Sequence, residues 1–560
     1  MTKIKYIFKR NNYSRPESLI SDIMEARGLK ESDLDVSMSK LINYSIKIPN
    51  ISEAANLVCD HILKSNRIVG VCDYDCDGVT SGSQLKLFMD MIGYSKFKII
   101  TPDRHIDGYG VPKSVVESRD FDLMITMDCG TIDKSVFLAK ENNADVVVID
   151  HHECSDRSLL APANYVINPK ICNERLGFIE PCGSGLTFMF IIMLRRVLIS
   201  RGIAVPQLNM NLFALAAIGT IADMVPLREV NRVIAYHGLK ALNTISSGPI
   251  SVFKEVSGYG SKKINAGIIG FQLGPRINAA GRIDHGCYPI EMFTTREKDW
   301  CEDIAHTLSY LNELRKNETN EIVLAIQKRV FANEFEESSS LVLSSKKWPS
   351  SIVGICASQI IQSSFYGPVI LFQENKKNKT LKGSGRSIPG FDLYSALMEC
   401  RDLIDKWGGH EMAAGLTLSK KNYALFVEKF EAISRQRRES NPDVFLKKIK
   451  VDAFVNFKDI TQKLIESLQL FEPFGMGNPN VVLGTNEVKV IQASRITSKA
   501  GQFLGMRYKL SQRGELPYVE AISWDTYATP LETIGFYNVY YKPAISNYNN
   551  AICLDLVGWN

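Results

Sequence analysis

Short apolar runs that end in acids mark the first half of the chain. Ile68-Val69-Gly70-Val71-Cys72 leads into Asp73, the run from Leu123 to Met127 into Asp128, and Val146 to Ile149 into Asp150. Such runs, with no alternation of polar positions, predict strands buried on both faces. A helix-like stretch from Ser81 to Met91, a further run from Phe97 to Thr101, and loops lie among them. Strands alternating with helices predict a parallel, doubly wound α/β sheet, which binds its ligand at the carboxyl ends of its strands. The acids stand at those ends.

The flanking segments follow other periods. Up to residue 65, Ile20, Ile23 and Met24 are spaced for one helical face, and the segment is expected to form short helices. From about 290 to 330, Ile304, Leu308, Leu311 and Leu314 form one stripe, with Glu313, Lys316 and Glu318 off it, which predicts a long helix. A second α/β region follows, with strands at Ser340-Leu341-Val342-Leu343 and Pro368-Val369-Ile370-Leu371-Phe372. The basic residues Arg435, Arg437, Arg438, Lys447, Lys448 and Lys450 suggest a boundary. Beyond it, strand-like pieces at Glu487 to Ile491, Tyr508 to Leu510 and Tyr537 to Tyr541 suit a small β-barrel.

Composition narrows the class. The 560 residues exceed one ordinary core, and 45% hydrophobic with 23% charged content is that of a folded globular chain. A net charge of +5 neither demands nor excludes nucleic acid, so any grip on it requires a local basic groove. The 12 cysteines show no Cys-x-x-Cys pair and read as reduced thiols. The run Leu212 to Ala222 is too short to span a bilayer, and Met1 to Arg10 has no secretory core. A soluble, cytoplasmic protein with no membrane partner is expected.

Asp73-Tyr74-Asp75-Cys76-Asp77-Gly78 is the sharpest local signal. Carboxylates crowded at a strand end repel one another unless a cation neutralises them, and helix capping accounts for only one of the three. The preceding strand and the missing downstream Glu argue against a calcium loop. Asp128, then Asp150-His151-His152, and Asp223 after Leu212 to Ala222, complete the set. Oxygen ligands with one or two imidazoles suit Mn²⁺ or Mg²⁺ better than zinc or copper.

These four motifs resemble those of the DHH phosphoesterases. Asp107-Gly108-Tyr109-Gly110, Gly183-Ser184-Gly185, Gly219 to Leu227, Leu273 to Arg282, Gly385-Arg386-Ser387, Gly408-Gly409-His410 and Phe474-Gly475-Met476-Gly477-Asn478-Pro479 narrow the likeness to RecJ-like exonucleases. The resemblance runs over nearly the whole chain. It implies an α/β fold with a parallel-sheet DHH domain, a long connecting helix, a second α/β DHH-associated domain and a C-terminal OB-fold β-barrel. The expected boundaries are an N-terminal helical segment 1–65, the DHH catalytic domain 66–235, a connecting helical region 236–335, the DHH-associated domain 336–448 and the OB-fold 449–560.

The same resemblance implies a 5′-to-3′ exonuclease that hydrolyses single-stranded DNA to 5′-mononucleotides with two Mn²⁺ or Mg²⁺ ions, in repair, recombination or replication. Asp75 would hold one ion and Asp77 the other, Asp128 would bridge, and His151 and Asp223 would complete the ligands of the second ion. Asp73, Asp150 and His152 would support catalysis or face the substrate. Arg276, Asn278, Arg282, Arg386 and His410 would contact it. A monomer is implied, and a helicase or single-strand-binding protein is a candidate partner. The barrel, with Phe503, Tyr508, Tyr518 and Trp524 as candidate stacking surfaces, is expected to grip long strands and to be dispensable for cleaving short ones.

Two departures stand out: Trp348-Pro349-Ser350-Ser351 replaces a Trp-His pair followed by Gly, and Ala357-Ser358-Gln359 lacks the family's Arg. The competing readings are a DHH-type oligonucleotide phosphodiesterase, and a catalytically inactive nucleic-acid-binding relative.

Overall fold

The computed structural model describes the chain except for residues 1–3, 9–12, 104–105, 134, 137–138, 140–142, 155, 172–175, 284–287, 376–377, 499–502, 525–529 and 547–550, and the side chains of 282–283. It divides into two compact units: Arg10–Asn312 with Asp452–Asn560, and Met1–Lys9 with Glu313–Val451.

The first unit is built on a five-stranded, wholly parallel sheet in the order Phe97–Ile100, Ile68–Cys72, Leu123–Met127, Asp145–Ile149, Tyr165–Ile167. Successive strand residues enter different cores. Ile68, Ile125, Met127, Val147 and Ile149 join the large core with helices Ile51–Leu63, Gly183–Ser200 and Met210–Ala222, while Val69, Val71, Met124, Val146 and Val148 join a smaller one around Val111, Val116 and Phe121. Both faces are covered, which is why these strands carry no polar alternation. The register sets Cys72 opposite Met127 and Met127 opposite Ile149, so Asp73, Asp128 and Asp150 leave the sheet side by side. The strand order reverses about Ile68–Cys72, the position where open α/β sheets form their ligand crevice. Helix Gly183–Ser200 is long and apolar enough to cross a membrane, and 72% of it is buried inside the protein.

The C-terminal region of this unit is a closed barrel. Leu483–Thr497, Phe503–Gln512, Glu515–Ser523, Ile552–Trp559 and Tyr537–Ile545 pair in that order, and the last returns to the first. The only parallel pairing among these five is Glu515–Ser523 with Ile552–Trp559. This is OB-fold connectivity. Its interior holds Tyr508, Leu510, Val539 and Tyr541, and the same hydrophobic cluster extends to Leu19 and Ile23 of helix Leu19–Arg27. Arg27 forms a two-pronged pair with Asp452, at 2.9 and 2.8 Å, with both side chains almost wholly buried.

The second unit carries a mixed sheet in the order Lys406–His410, Ala413–Ser419, Thr380–Arg386, Val369–Asn375, Leu341–Ser345, with the last pair parallel and the others antiparallel. Phe372, Phe391, Phe426 and Phe430 fill its core against helix Tyr423–Ser440. Ile4–Phe8 is a strand, where short helices were expected, and pairs in parallel with Lys447–Val451. Helix Lys298–Phe331 runs unbroken, and the division between units falls within it. Ile304, Leu308 and Leu311 are buried as their spacing predicts, whereas Leu314 is exposed.

Candidate metal centre

Each acid of the centre is fixed by its backbone before its side chain is considered. The sheet ladder continues one residue past the strands: Asp73 N donates to Met127 O at 3.3 Å, Asp128 N to Ile149 O at 2.8 Å and Asp150 N to Ile167 O at 3.0 Å. Asp75 caps helix Cys76–Met91, its carboxylate accepting from Asp77 N and Gly78 N at 2.9 and 3.1 Å. A side chain could not replace Gly78, since a Cβ there would stand 2.4 Å from Asp73 O. Asp77 points the other way, accepting from Gly183 N at 2.7 Å and Ser184 N at 2.9 Å, where the first turn of helix Gly183–Ser200 offers unpaired donors. Asp223 ends helix Met210–Ala222.

Three groups of ligand atoms lie within 4.8 Å of one another: Asp73, Asp75 and Asp128; Asp77, His151 and Asp223; and Asp128, His151 and His152. Nε2 of His151 is 3.1 Å from Asp128 Oδ1, 3.6 Å from Asp77 Oδ2 and 3.9 Å from Asp223 Oδ2. Asp128 is therefore common to the first and third of these groups, and His151 to the second and third. Asp73, expected only to support, stands with Asp75 and Asp128 as a possible ligand.

The electrostatics fit a divalent cation. Burial, followed by the charges of Asp77 and Asp75, pushes Asp128 well above the ordinary carboxylate range. Burial and Asp77 raise Asp75, against the hydrogen bonds it accepts from Gly78 and Asp77. Burial, Asp77 and Asp75 push Asp223 up to about 8. Burial lowers His151, keeping its imidazole in the neutral form that ligates metals. Asp128 Oδ1 is buried and accepts no hydrogen bond among the described residues. A buried carboxylate oxygen of this kind, crowded by other acids, is what a bound cation would satisfy.

Asp150 differs. Its Oδ1 accepts from the backbone N–H groups of His151 and His152 at 2.7 and 3.2 Å and faces His152 Nδ1 at 2.7 Å, while Oδ2 accepts from Thr131 N at 3.0 Å. Burial opposes its ionisation, yet the bonds from His152 and Thr131 outweigh it and hold the carboxyl below its usual range. Burial likewise opposes the charge on His152, and Asp150 outweighs it, so the imidazole is raised. With Nδ1 turned toward Asp150, Nε2 of this half-exposed ring is left for the site. Tyr109, quoted in a motif but given no role from sequence, donates its hydroxyl to Asp128 O and also reaches His152 Nδ1, both at 3.2 Å. Its flanking Gly108 and Gly110, both at positive φ, were the available signal of a shaped turn.

The residues expected to contact substrate are dispersed. Asn278 Oδ1 accepts from Cys76 N at 2.7 Å, which ties it to the first turn carrying Asp75 and Asp77. Arg276 is nearly buried, with Nη1 donating to Gln272 O at 2.8 Å. The side chain of Arg282 lies outside the described residues. In the other unit, Arg386 Nη1 donates to Ser384 Oγ and Gly385 O at 2.9 and 2.8 Å. His410 is exposed, and its Nδ1 accepts from Met412 N at 3.3 Å, which leaves the proton on Nε2. The described cysteines are all free. Burial raises the thiols of Cys72, Cys76, Cys129 and Cys182 around the acids.

Comparison with known proteins agrees with this anatomy. Residues 67–220 match the DHH family N-terminal domain, 337–436 the DHHA1 domain and 451–557 the RecJ OB domain. The single-stranded-DNA-specific exonuclease RecJ of Escherichia coli is 30% identical over 82% of this chain and 82% of its own. That of Salmonella typhimurium is 32% identical over 74% of each chain. The match to the Bacillus subtilis protein of that name, 30% identical, spans 84% of this chain and 60% of that one. The crystal structure of Thermus thermophilus RecJ in complex with Mn²⁺ shares the fold, with a TM-score of 0.78 at 22% identity over 100% of this chain and 80% of that one. A manganese-bound exonuclease RecJ gives 0.57 at 27% identity over 70% of this chain and 95% of that one. Three matched domains in order, with this level of identity over most of the Escherichia coli relative, establish that the chain belongs to the RecJ family.

Proposed function

We propose that the chain is a Mn²⁺- or Mg²⁺-dependent exonuclease that degrades single-stranded DNA from the 5′ end and releases 5′-mononucleotides. The observation that carries this reading is the paired grouping of ligand atoms about Asp128 at the strand ends. In our reading Asp75 and Asp73 hold one cation, Asp77, His151 and Asp223 the other, and Asp128 serves both. When bound, such a pair lowers the pKa of an attacking water and offsets charge on the phosphoryl oxygens. The protein's own part is positional. Asp150 fixes the ring of His152, whose Nε2 faces the reacting phosphate, and Tyr109 ties His152 to the Asp128 turn.

Asn278 acts, in this reading, by holding the turn before helix Cys76–Met91 and not by touching DNA. Arg276, Arg282, Arg386 and His410 remain proposed phosphate contacts, with the Nε2 proton of His410 as a donor. Gln359, where the family has Arg, would loosen the preference for a 5′ end. On the family likeness, we assign the enzyme to the cytoplasm, as a monomer working on strands exposed by a helicase or held by a single-strand-binding protein.

The test is a single strand labelled at its 3′ end and digested with Mn²⁺. A labelled ladder shortening from the unlabelled end is expected, and early release of labelled mononucleotide would overturn the polarity.

A further inference from the structure

Asp223 differs from Asp75 and Asp77 because it stands at the C-terminal end of its helix and not at an N-terminal turn. It sits at the C-terminus of helix Met210–Ala222, where the helix dipole disfavours a carboxylate. Met224 follows at φ +60, and regular structure resumes only at helix Glu229–Thr244. The turn needs support from elsewhere, and the loop that enters the barrel supplies it.

Leu227 N donates to Met476 O at 2.8 Å, and Arg228 Nε donates to Gly477 O at 2.7 Å. Arg232, buried, donates to Phe471 O and Leu470 O at 2.9 and 2.8 Å. The loop is itself pinned. Asn478 Nδ2 donates to Phe471 O and Pro473 O at 2.7 and 3.0 Å, and Arg27 donates to Pro479 O and Asn480 O at 2.8 and 3.1 Å. Both glycines of Phe474-Gly475-Met476-Gly477-Asn478-Pro479 are required by closeness. A Cβ on Gly475 would stand 2.6 Å from Leu227 Cδ1, and one on Gly477, at φ +68, would stand 2.7 Å from Pro226 Cβ.

We propose that the loop from Phe471 to Asn480 is a positioning element for Asp223, so that the cation held by Asp77, His151 and Asp223 depends on the barrel's entry loop. This rests on the reading of those residues as a cation site. It gives the glycine-rich motif a purpose, and it reverses the expectation that the barrel is dispensable for cleaving short strands. Removing it would take away the acceptors of Leu227 N, Arg228 and Arg232, which span the turn beyond Asp223.

The test is direct Mn²⁺ binding by electron paramagnetic resonance on the full chain. The wild type is expected to bind two ions with spin coupling between them. Arg228→Ala, an exposed substitution, should weaken one of the two sites about tenfold or more, as loss of outer-shell support typically does. It should also diminish the coupling while leaving the melting temperature of the metal-free protein unchanged. Arg228→Lys should restore binding, and Gly477→Ala should act like Arg228→Ala. In an Asp223→Ala background Arg228→Ala should cost nothing further, since the ligand it positions is gone. Wild-type affinity in Arg228→Ala, or an equal loss in the Asp223→Ala background, would overturn the proposal. Two coupled ions in a wild-type protein that degrades no DNA would instead overturn the proposed function and leave the positioning role standing.

Discussion

Asp128 and Asp150 follow paired residues of neighbouring strands and meet opposite fates. Asp150 is surrounded by donors and serves as an anchor, whereas Asp128 has a buried oxygen that accepts no hydrogen bond among the described residues and four other acids among the causes of its raised pKa after burial. Asp128→Ala should therefore lower activity below about a tenth of wild type at saturating Mn²⁺, because in the proposed reading one substitution removes a ligand that serves both cations. It should leave the metal-free fold intact or steadier, since it removes a repelled charge. Turnover above that level would show that Asp128 is not shared. The same crowding sets a pH dependence. Asp223 is pushed up to about 8 from an ordinary 3.8, and Asp75 and Asp128 are raised as well, so the folded, metal-free chain holds protons that the unfolded chain releases. Stability contributed this way is present at low pH and is lost as pH rises through the folded-state values. Thermal denaturation in a chelator should give a lower melting temperature at pH 8 than at pH 6, and saturating Mn²⁺ should erase that difference. A metal-free protein that melts higher at pH 8 would contradict the assigned direction.

At the scale of elements, the first turn of helix Gly183–Ser200 sets Asp77 beside Asp128. Its first two N–H groups hold Asp77, and a Cβ on Gly183 would stand 2.7 Å from Asp128 Cβ and 2.8 Å from its Oδ1. Gly183→Ala must displace one acid or the other, and should raise the Mn²⁺ concentration for half-maximal cleavage by about tenfold or more. Gly202, just past the other end of that helix, is at φ +84 with open space around it. Gly202→Ala should cost about 1 kcal/mol of stability and leave the Mn²⁺ requirement alone. A reversed pair of outcomes would mean that the helix N-terminus does not align the acids. The acid-bearing strand ends were legible in the sequence because an unbroken apolar run followed by Asp is a local pattern. Strand Ile4–Phe8 was not, since its partner Lys447–Val451 is more than 400 residues away and five residues carry too little periodicity. Helix Leu19–Arg27 was legible as a helix but not as part of the barrel's core, because Leu19 and Ile23 say only that one face is buried, not where. Asn278 looked like a substrate contact because nothing in the sequence places it against Cys76 N.

At the scale of the molecule, a net charge of +5 over 560 residues provides no global field, so a grip on long strands must come from one surface. In the barrel, closure removes the free edges and turns alternate residues outward. Tyr508 points in, with its hydroxyl accepting from Leu531 N at 3.2 Å, and cannot stack on a base. Sequence could not sort it from its neighbours, since register shifts at Val490/Gln492 and Ile496/Thr497 interrupt the strand it pairs with. Lys489, Arg495, Arg507, Lys509 and Tyr518 are exposed on the first three barrel strands. Two aromatic rings there already lie under cations: Lys509 Nζ is 4.9 Å from the Tyr518 ring and Arg495 is 5.8 Å from that of Phe503. A groove that tracks phosphates while rings take bases needs this pairing of charge and aromatic surface. The two contributions separate experimentally. Each cation removed from a phosphate contact should flatten the dependence of log affinity on log salt by about 0.7 for a single strand, so Arg495→Ala, Arg507→Ala and Lys509→Ala together should reduce the slope by about 2. Tyr518→Ala should instead lower affinity for long strands by about tenfold with the slope unchanged, because stacking is worth about 1–3 kcal/mol per base and releases no counterions. None of these side chains belongs to the loop from Phe471 to Asn480, so Mn²⁺ affinity should stay at the wild-type value in every variant. A triple variant with an unaltered salt slope would mean that long strands are held on some other surface.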